Sequence, residues 1–235
     1  MEPRMDSRLA QGRVGVEQID AGLRGHMLSV YNYMGLALAL TGLTAFVFAP
    51  IYYQYVMGTP LTWVLMLAPF AFILVLGVKA RTMSASAVQL TFWAFAIAMG
   101  LSLSSIFLAF TGTSIARVFF ITAGTFGAMS LYGYTTKRDL SKFGSFLMMG
   151  LIGIVIAMVV NIFIASSALH FAISVIGVLV FTGLTAWDTQ RIKEEYYALD
   201  SAEVQTKGAV LGALNLYLNF INLFIMLLHL FGNRE

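Results

Sequence analysis

The 235-residue chain is 59% apolar and only 11% charged, against roughly 25% charged residues in an average soluble domain, and its mean hydropathy of +0.84 assigns most of it to a bilayer. This composition excludes disorder, a nucleic-acid-binding module and a secreted disulfide scaffold, and the lack of cysteine excludes disulfide, iron–sulfur and thiolate–zinc sites. The pI of about 9.2 accompanies a net charge of only +3 and no basic run interleaved with aromatics, so the basic residues report membrane orientation.

Windows of about 20 apolar residues bounded by charges or turn residues predict seven spanning helices, over 28–49, 61–78, 86–110, 115–135, 144–164, 170–187 and 208–231. The breaks are short. Gly58-Thr59-Pro60, Thr111-Gly112-Thr113-Ser114 and Ser166-Ser167 mark three of them. Twelve of the 14 Lys and Arg fall before the first span or in the second, fourth and sixth loops, leaving Arg117 and Arg234 for the other side. The positive-inside rule therefore predicts a cytoplasmic N-terminus and a periplasmic C-terminus. The expected organisation is a cytoplasmic arm over 1–27, an all-α seven-helix domain over 28–231 and a tail over 232–235. The arm carries Glu2, Asp6, Glu17 and Asp20 and lacks a short apolar core with a cleavage site, so it reads as neither a signal nor a transit peptide. Val16, Ile19 and Leu23 share helical spacing, which suits a segment lying on the membrane surface.

Function in such a chain sits in its polar exceptions. Asp188 is the one carboxylate at or near the end of a span. An ionised Asp costs about 2.5–3.5 kcal/mol at a helix centre, and the C-terminal end of the sixth span adds an unfavourable dipole, so a cation is expected close by. Arg191, Arg81 with Lys79, or a bound metal ion or proton could each supply it, and an interfacial Asp facing headgroup water beside Arg191 is the plain alternative. In the last span Asn215, Asn219 and Asn222 recur at i, i+4 and i+7 and line one helical face. That face serves either interhelical hydrogen bonds, worth on average about 0.6 kcal/mol each, or a polar strip along an ion path opposite Asp188.

The remaining exceptions are weaker. Arg117 is expected to snorkel, His170 and His229 to sit at the interface, Pro69 to kink the second span, and Gly124, Gly127, Gly150 and Gly153 to allow close helix packing. No enzyme chemistry is legible: the last span has no lysine for retinal, intramembrane aspartyl proteolysis needs a second buried carboxylate, and Gly100-Leu101-Ser102-Leu103 lacks the second glycine of a rhomboid-type serine turn.

Three stretches, TAGTFGAMSLYGYTTKRDL at 122–140, FTGLTAWDTQ at 181–190 and LNLYLNFINLF at 214–224, closely resemble the Bax inhibitor family, and in particular its bacterial inner-membrane branch. The resemblance runs over about residues 25–233. It implies a seven-helix fold with the last helix central, no resident cofactor, and a pH-sensitive calcium leak, while eukaryotic relatives lower endoplasmic reticulum calcium and suppress cell death under stress. In those channels a carboxylate after the sixth helix and one in the seventh form a proton-sensing pair, and an arginine near the third helix helps hold the closed state. The first carboxylate maps onto Asp188, which becomes the candidate for contact with Ca2+. The second maps onto Asn219, where the family commonly has Asp, and the arginine maps loosely onto Arg81. Asn215 and Asn222 are then candidate pore-lining residues, and Arg81 and Arg191 candidate gating residues. The resemblance also implies a second class of function, a regulatory partner of a membrane-anchored AAA protease, for which the arm up to Arg24 is the exposed feature. The expected partners are thus the lipid bilayer, Ca2+ or another cation, and such a protease.

Overall fold

The computed structural model describes residues 3–196 and 201–233, with side chains described from residue 21 onward. Arm charges before Ala21, the Val16 and Ile19 positions, Asp200 and Arg234 therefore lie outside the described side chains. The described backbone is helical: α1 (Pro3–Ile51, continued by a π turn over Tyr52–Val56), α2 (Leu61–Lys79), α3 (Ala85–Leu103), a single turn α4 (Ile106–Ala109), α5 (Gly112–Thr135), α6 (Ser141–Ile164), α7 (Ser167–Tyr196) and α8 (Ala202–Phe231). Seven of these stretches are long and apolar enough to cross a membrane, as the hydropathy windows predict.

The order of burial shows what surrounds what. In α8, 72% of the apolar window is buried, against 11–39% in the other six spans. The last helix is therefore the axis of the bundle. It packs against α7, α1, α5 and α3, while α2 packs on α3 and α6 on α7 at the periphery. Lipid is as apolar as leucine, so close packing and hydrogen bonds rather than hydrophobic exclusion hold these helices together. Tyr217 shows both. It is fully buried in α8 with its ring edge-on to Phe95 at 5.3 Å. Thr41 of α1 donates to the Ala96 carbonyl at 2.9 Å, and with that proton committed, the Tyr217 hydroxyl donates to Thr41 Oγ1 at 2.7 Å. One hydroxyl chain thus ties α8, α1 and α3. The bilayer faces α6 and α2 through side chains such as Phe163 and Val78.

Several boundaries differ from the hydropathy windows. The 27/28 boundary falls inside α1, and residues expected in a separate arm join the bundle: Leu23, His26 and Met27 are buried, and the His26 ring lies 5.3 Å from that of Tyr196 at the end of α7. The third window is interrupted at Ser104, whose hydroxyl donates back to the Gly100 carbonyl. The tail at Asn233 is pinned to the start of α5, since Thr111 donates to the Asn233 carbonyl at 3.1 Å and Asn233 donates to Ser114 Oγ at 3.0 Å. Arg117 does more than snorkel: its Nη2 donates to the Phe231 carbonyl at 3.1 Å and caps α8. His170 and His229 are half-buried with ring centres 4.6 Å apart, so they face each other. Pro69 lies buried within an uninterrupted α2.

The glycines that permit close packing are not the expected set. Gly124, Gly127 and Gly153 have open space where a Cβ would stand, and only Gly150 approaches a neighbour, at 3.1 Å from Val180. Close approaches occur at other glycines, among them Gly133, where a Cβ would meet the Ala186 backbone of α7, Gly144, where it would enter the Trp187 ring, and Gly100, where it would meet Thr41 and Thr44 of α1.

Candidate functional site

Four consecutive residues of α7 organise the site. Helical spacing sends successive side chains about 100° apart, and Trp187 to Gln190 accordingly address four different neighbours. The Trp187 ring covers Gly144 of α6. Asp188 accepts a hydrogen bond from Asn219 Nδ2 of α8 at 2.6 Å. Thr189 donates to the Thr185 carbonyl of its own helix at 2.7 Å and lies 3.5 Å from Ser130 Oγ of α5. Gln190 holds the loop between α5 and α6 with both ends of its amide, accepting from Leu140 N and donating to the Arg138 carbonyl, each at 2.8 Å.

The α5–α7 seam explains how the backbones come so close. Ser130 and Gly133 of α5 are spaced i, i+3 and meet Ala186 and Thr189 of α7 at the same spacing, a small-residue seam of the kind that lets membrane helices touch along their main chains. Nearby, Lys193 donates to the Tyr134 carbonyl at 2.9 Å with its ammonium 5.0 Å from the centre of the Tyr134 ring. Lys193 and Gln190 together fasten the end of α5 and the following loop to α7.

Asp188 does not stand at a helix end in headgroup water. The helix continues eight residues beyond it to Tyr196, about 12 Å along the axis, and Asp188 is only 7% exposed. Asn219 is likewise buried, at 6%, so the pair lies at the contact between α7 and the axial helix. Of the three asparagines, only Asn219 reaches Asp188 among the described residues. Asn222 is half-buried and donates to the Leu218 carbonyl of its own helix at 2.8 Å, and Asn215 is half-buried one turn towards the start of α8.

The two candidate gating arginines are placed apart from the carboxylate. Arg191 Nε pairs with Glu195 at 2.7 Å, and its guanidinium lies 5.6 Å from the centre of the Trp187 ring. Arg81 is exposed in the turn after α2. The described ion pairs are Arg191–Glu195 and Lys207–Glu203, so among the described residues no Lys or Arg lies within ion-pair distance of Asp188. The roles of Thr189 and Gln190 escape a sequence reading centred on charge. Both are small or neutral side chains at a span boundary, and the only available signal is their place in the FTGLTAWDTQ stretch.

The comparisons with known proteins agree with this architecture. Residues 23–235 match the family model described as inhibitor of apoptosis-promoting Bax1. The chain is 45% identical over 238 residues to the inner membrane protein YbhL of Escherichia coli K12, covering 99% of this chain and 98% of the relative. It is 50% identical over 219 residues to an uncharacterized protein of Rickettsia prowazekii, covering 92% of each, and 35% identical over 226 residues to an uncharacterized membrane protein of Streptococcus pyogenes, covering 93% and 96%. With the family model over nearly the whole length, an inner-membrane relative and seven spanning helices around a buried axis, the chain belongs to the Bax inhibitor family of integral membrane proteins, in the inner membrane.

Proposed function

We propose that the protein lets Ca2+ or another cation leak down its gradient, without catalysis or a resident cofactor, along a route between Asp188 and the face bearing Asn215, Asn219 and Asn222. The observation that carries this reading is the Asp188 carboxylate, buried against the axial helix with a neutral amide as its hydrogen-bond partner and, among the described residues, no basic side chain paired to it. An ionisable group in that position costs stability and marks an ion or proton pathway in membrane proteins. Ca2+ takes six to eight oxygen ligands. One carboxylate plus amide oxygens and water is a sparse donor set, which suits passage rather than storage.

The basic end of the bundle supplies the gate. Arg191 lies three residues from Asp188, one helical turn away, and exchange of its partner from Glu195 to Asp188 would close the route, while Arg81 in the turn after α2 is the second gating candidate. The neutral partner sets the expected pH response. Two carboxylates that share a proton titrate as a coupled pair in two macroscopic steps, whereas Asp188 and Asn219 together can gain only one proton. The leak should therefore respond to pH with the slope of a single site.

Calcium flux into dye-loaded proteoliposomes at several pH values tests this. The expected results are a flux that Asp188→Asn alters, a shallow one-proton pH profile, and a steeper profile for Asn219→Asp. A flux absent from the wild type or indifferent to Asp188→Asn would overturn the channel reading, and a steep two-proton profile in the wild type would overturn the argument from Asn219.

A further inference from the structure

A lateral groove opens between α1 and α5, two helices that share no extensive packing. It encloses ≈ 590 Å³, is walled by α1 from Arg24 to Leu38 and by α5 from Phe119 to Tyr134, and is floored by Phe220 of the axial helix. A smaller hollow of ≈ 90 Å³ adjoins it, with Leu38, Phe119 and Phe220 in both linings. The groove is a side entrance to the centre of the bundle.

Its polarity is one-ended. The two helices run antiparallel, so Arg24 of α1 lies level with Tyr134 of α5, and Leu38 lies level with Phe119. Arg24, Ser130 and Tyr134 gather at the end of the bundle that carries the basic loops, and the walls beyond them are mostly aliphatic and aromatic. Among the described residues Arg24 is the one charged side chain in the lining. The fourteen helical steps from Arg24 to Leu38 span about 21 Å along α1. One leaflet of a hydrocarbon core about 30 Å thick is about 15 Å deep, so the groove covers one acyl-chain layer plus part of the adjoining headgroup zone.

We propose that this groove is a binding site for one anionic glycerophospholipid of the leaflet at the basic end, with an acyl chain between α1 and α5 against Phe220 and the phosphate at Arg24. A single guanidinium at the headgroup end of an otherwise apolar slot matches a molecule with one anionic end and a flexible apolar body. Arg offers forked donors to phosphate oxygens, and basic pockets between membrane helices recognise anionic headgroups in this way. A zwitterionic lipid brings the same chain but sets its own cation near Arg24, so the preference for net negative charge resides at that residue.

Native mass spectrometry of the full-length protein in detergent, with phosphatidylglycerol or phosphatidylcholine added, tests the site. The wild type should retain phosphatidylglycerol about tenfold better, the scale of one charge-assisted hydrogen bond, and Arg24→Gln should remove the preference. Gly127 lies in the groove wall with open space at its Cβ position, so Gly127→Leu should project into the slot and lower retention of both lipids. Gly153, equally open but in a separate hollow at α6 and α7, should tolerate Gly153→Leu with no effect on retention. Equal retention of the two lipids by the wild type, unchanged retention in Gly127→Leu, or a bound mass equal to a second polypeptide would each overturn the proposal.

Discussion

Replacing Gly133 with alanine should destabilise the bundle far more than the same change at Gly127, although both glycines lie on α5 and are six residues apart. A Cβ at Gly133 would overlap the Ala186 backbone of α7, whereas at Gly127 it meets nothing within 4 Å. Backbone cannot rotate aside as a side chain can, so the seam must open: Ser130 and Gly133 would withdraw from Ala186 and Thr189, and the Asp188 contact on the same stretch of α7 would shift with them. Overpacking of a tight contact costs about 1–3 kcal/mol, and each 1 kcal/mol moves the midpoint of a chain this size by about 2–4 °C. Gly127→Ala carries no such cost and gains helix propensity, worth at most about 1 kcal/mol. Thermal unfolding in detergent, followed by tryptophan fluorescence, to which Trp187 beside the seam contributes with two others, measures both. Equal midpoints for the two variants would refute the assignment of the α5–α7 contact to a backbone approach at Gly133.

Two further outcomes follow from the loop between α5 and α6. Gln190→Leu removes both hydrogen bonds that hold residues 138–140, and hydrogen exchange at the Leu140 amide should rise by about tenfold or more for the loss of bonds worth about 0.5–1.5 kcal/mol each; unchanged protection would place the restraint elsewhere. Asp139, outside the spans, has its carboxyl held below the usual carboxylate range by the hydrogen bond from Ser141, with Lys142 nearby. A depressed folded-state pKa means that the contribution is complete above the ordinary value and is lost only as the pH falls through the lower one. Asp139 therefore stays ionised over about pH 5–8, and Asp139→Asn should leave the pH profile of the proposed calcium leak unchanged over that interval. A shifted profile would assign part of the pH response to the loop.

Hydropathy is enough to find seven spans here because a bilayer imposes one length and one polarity on every crossing segment, and both are written in composition. It does not find where a helix stops. The window for α7 ends at Trp187 because Arg191, Lys193, Glu194 and Glu195 follow, yet all of these are compatible with helix and the backbone runs on to Tyr196. Asp188 consequently moves from an expected interfacial position to a buried one. The opposite error occurs at Ser104, where an unbroken apolar window conceals a break in the backbone. The pairing of Asp188 with Asn219 is visible only through the family resemblance, since the two residues stand 31 positions apart on successive helices and no local pattern couples them. The glycines fail for a related reason. Spacing shows which residues share a face, but Gly127 and Gly133 differ only in what another helix brings to meet them.

The four contacts made by Trp187, Asp188, Thr189 and Gln190 have a mechanical consequence. Because they point to α6, α8, α5 and the α5–α6 loop, α7 is held from all sides like a shaft keyed at one level. A turn or slide large enough to release Asp188 from Asn219 would also disturb the ring on Gly144, the seam at Ser130 and the clamp on Leu140. Such a joint does not yield by degrees. It favours two discrete settings, so any opening at this level should occur as an all-or-none step shared by four neighbours.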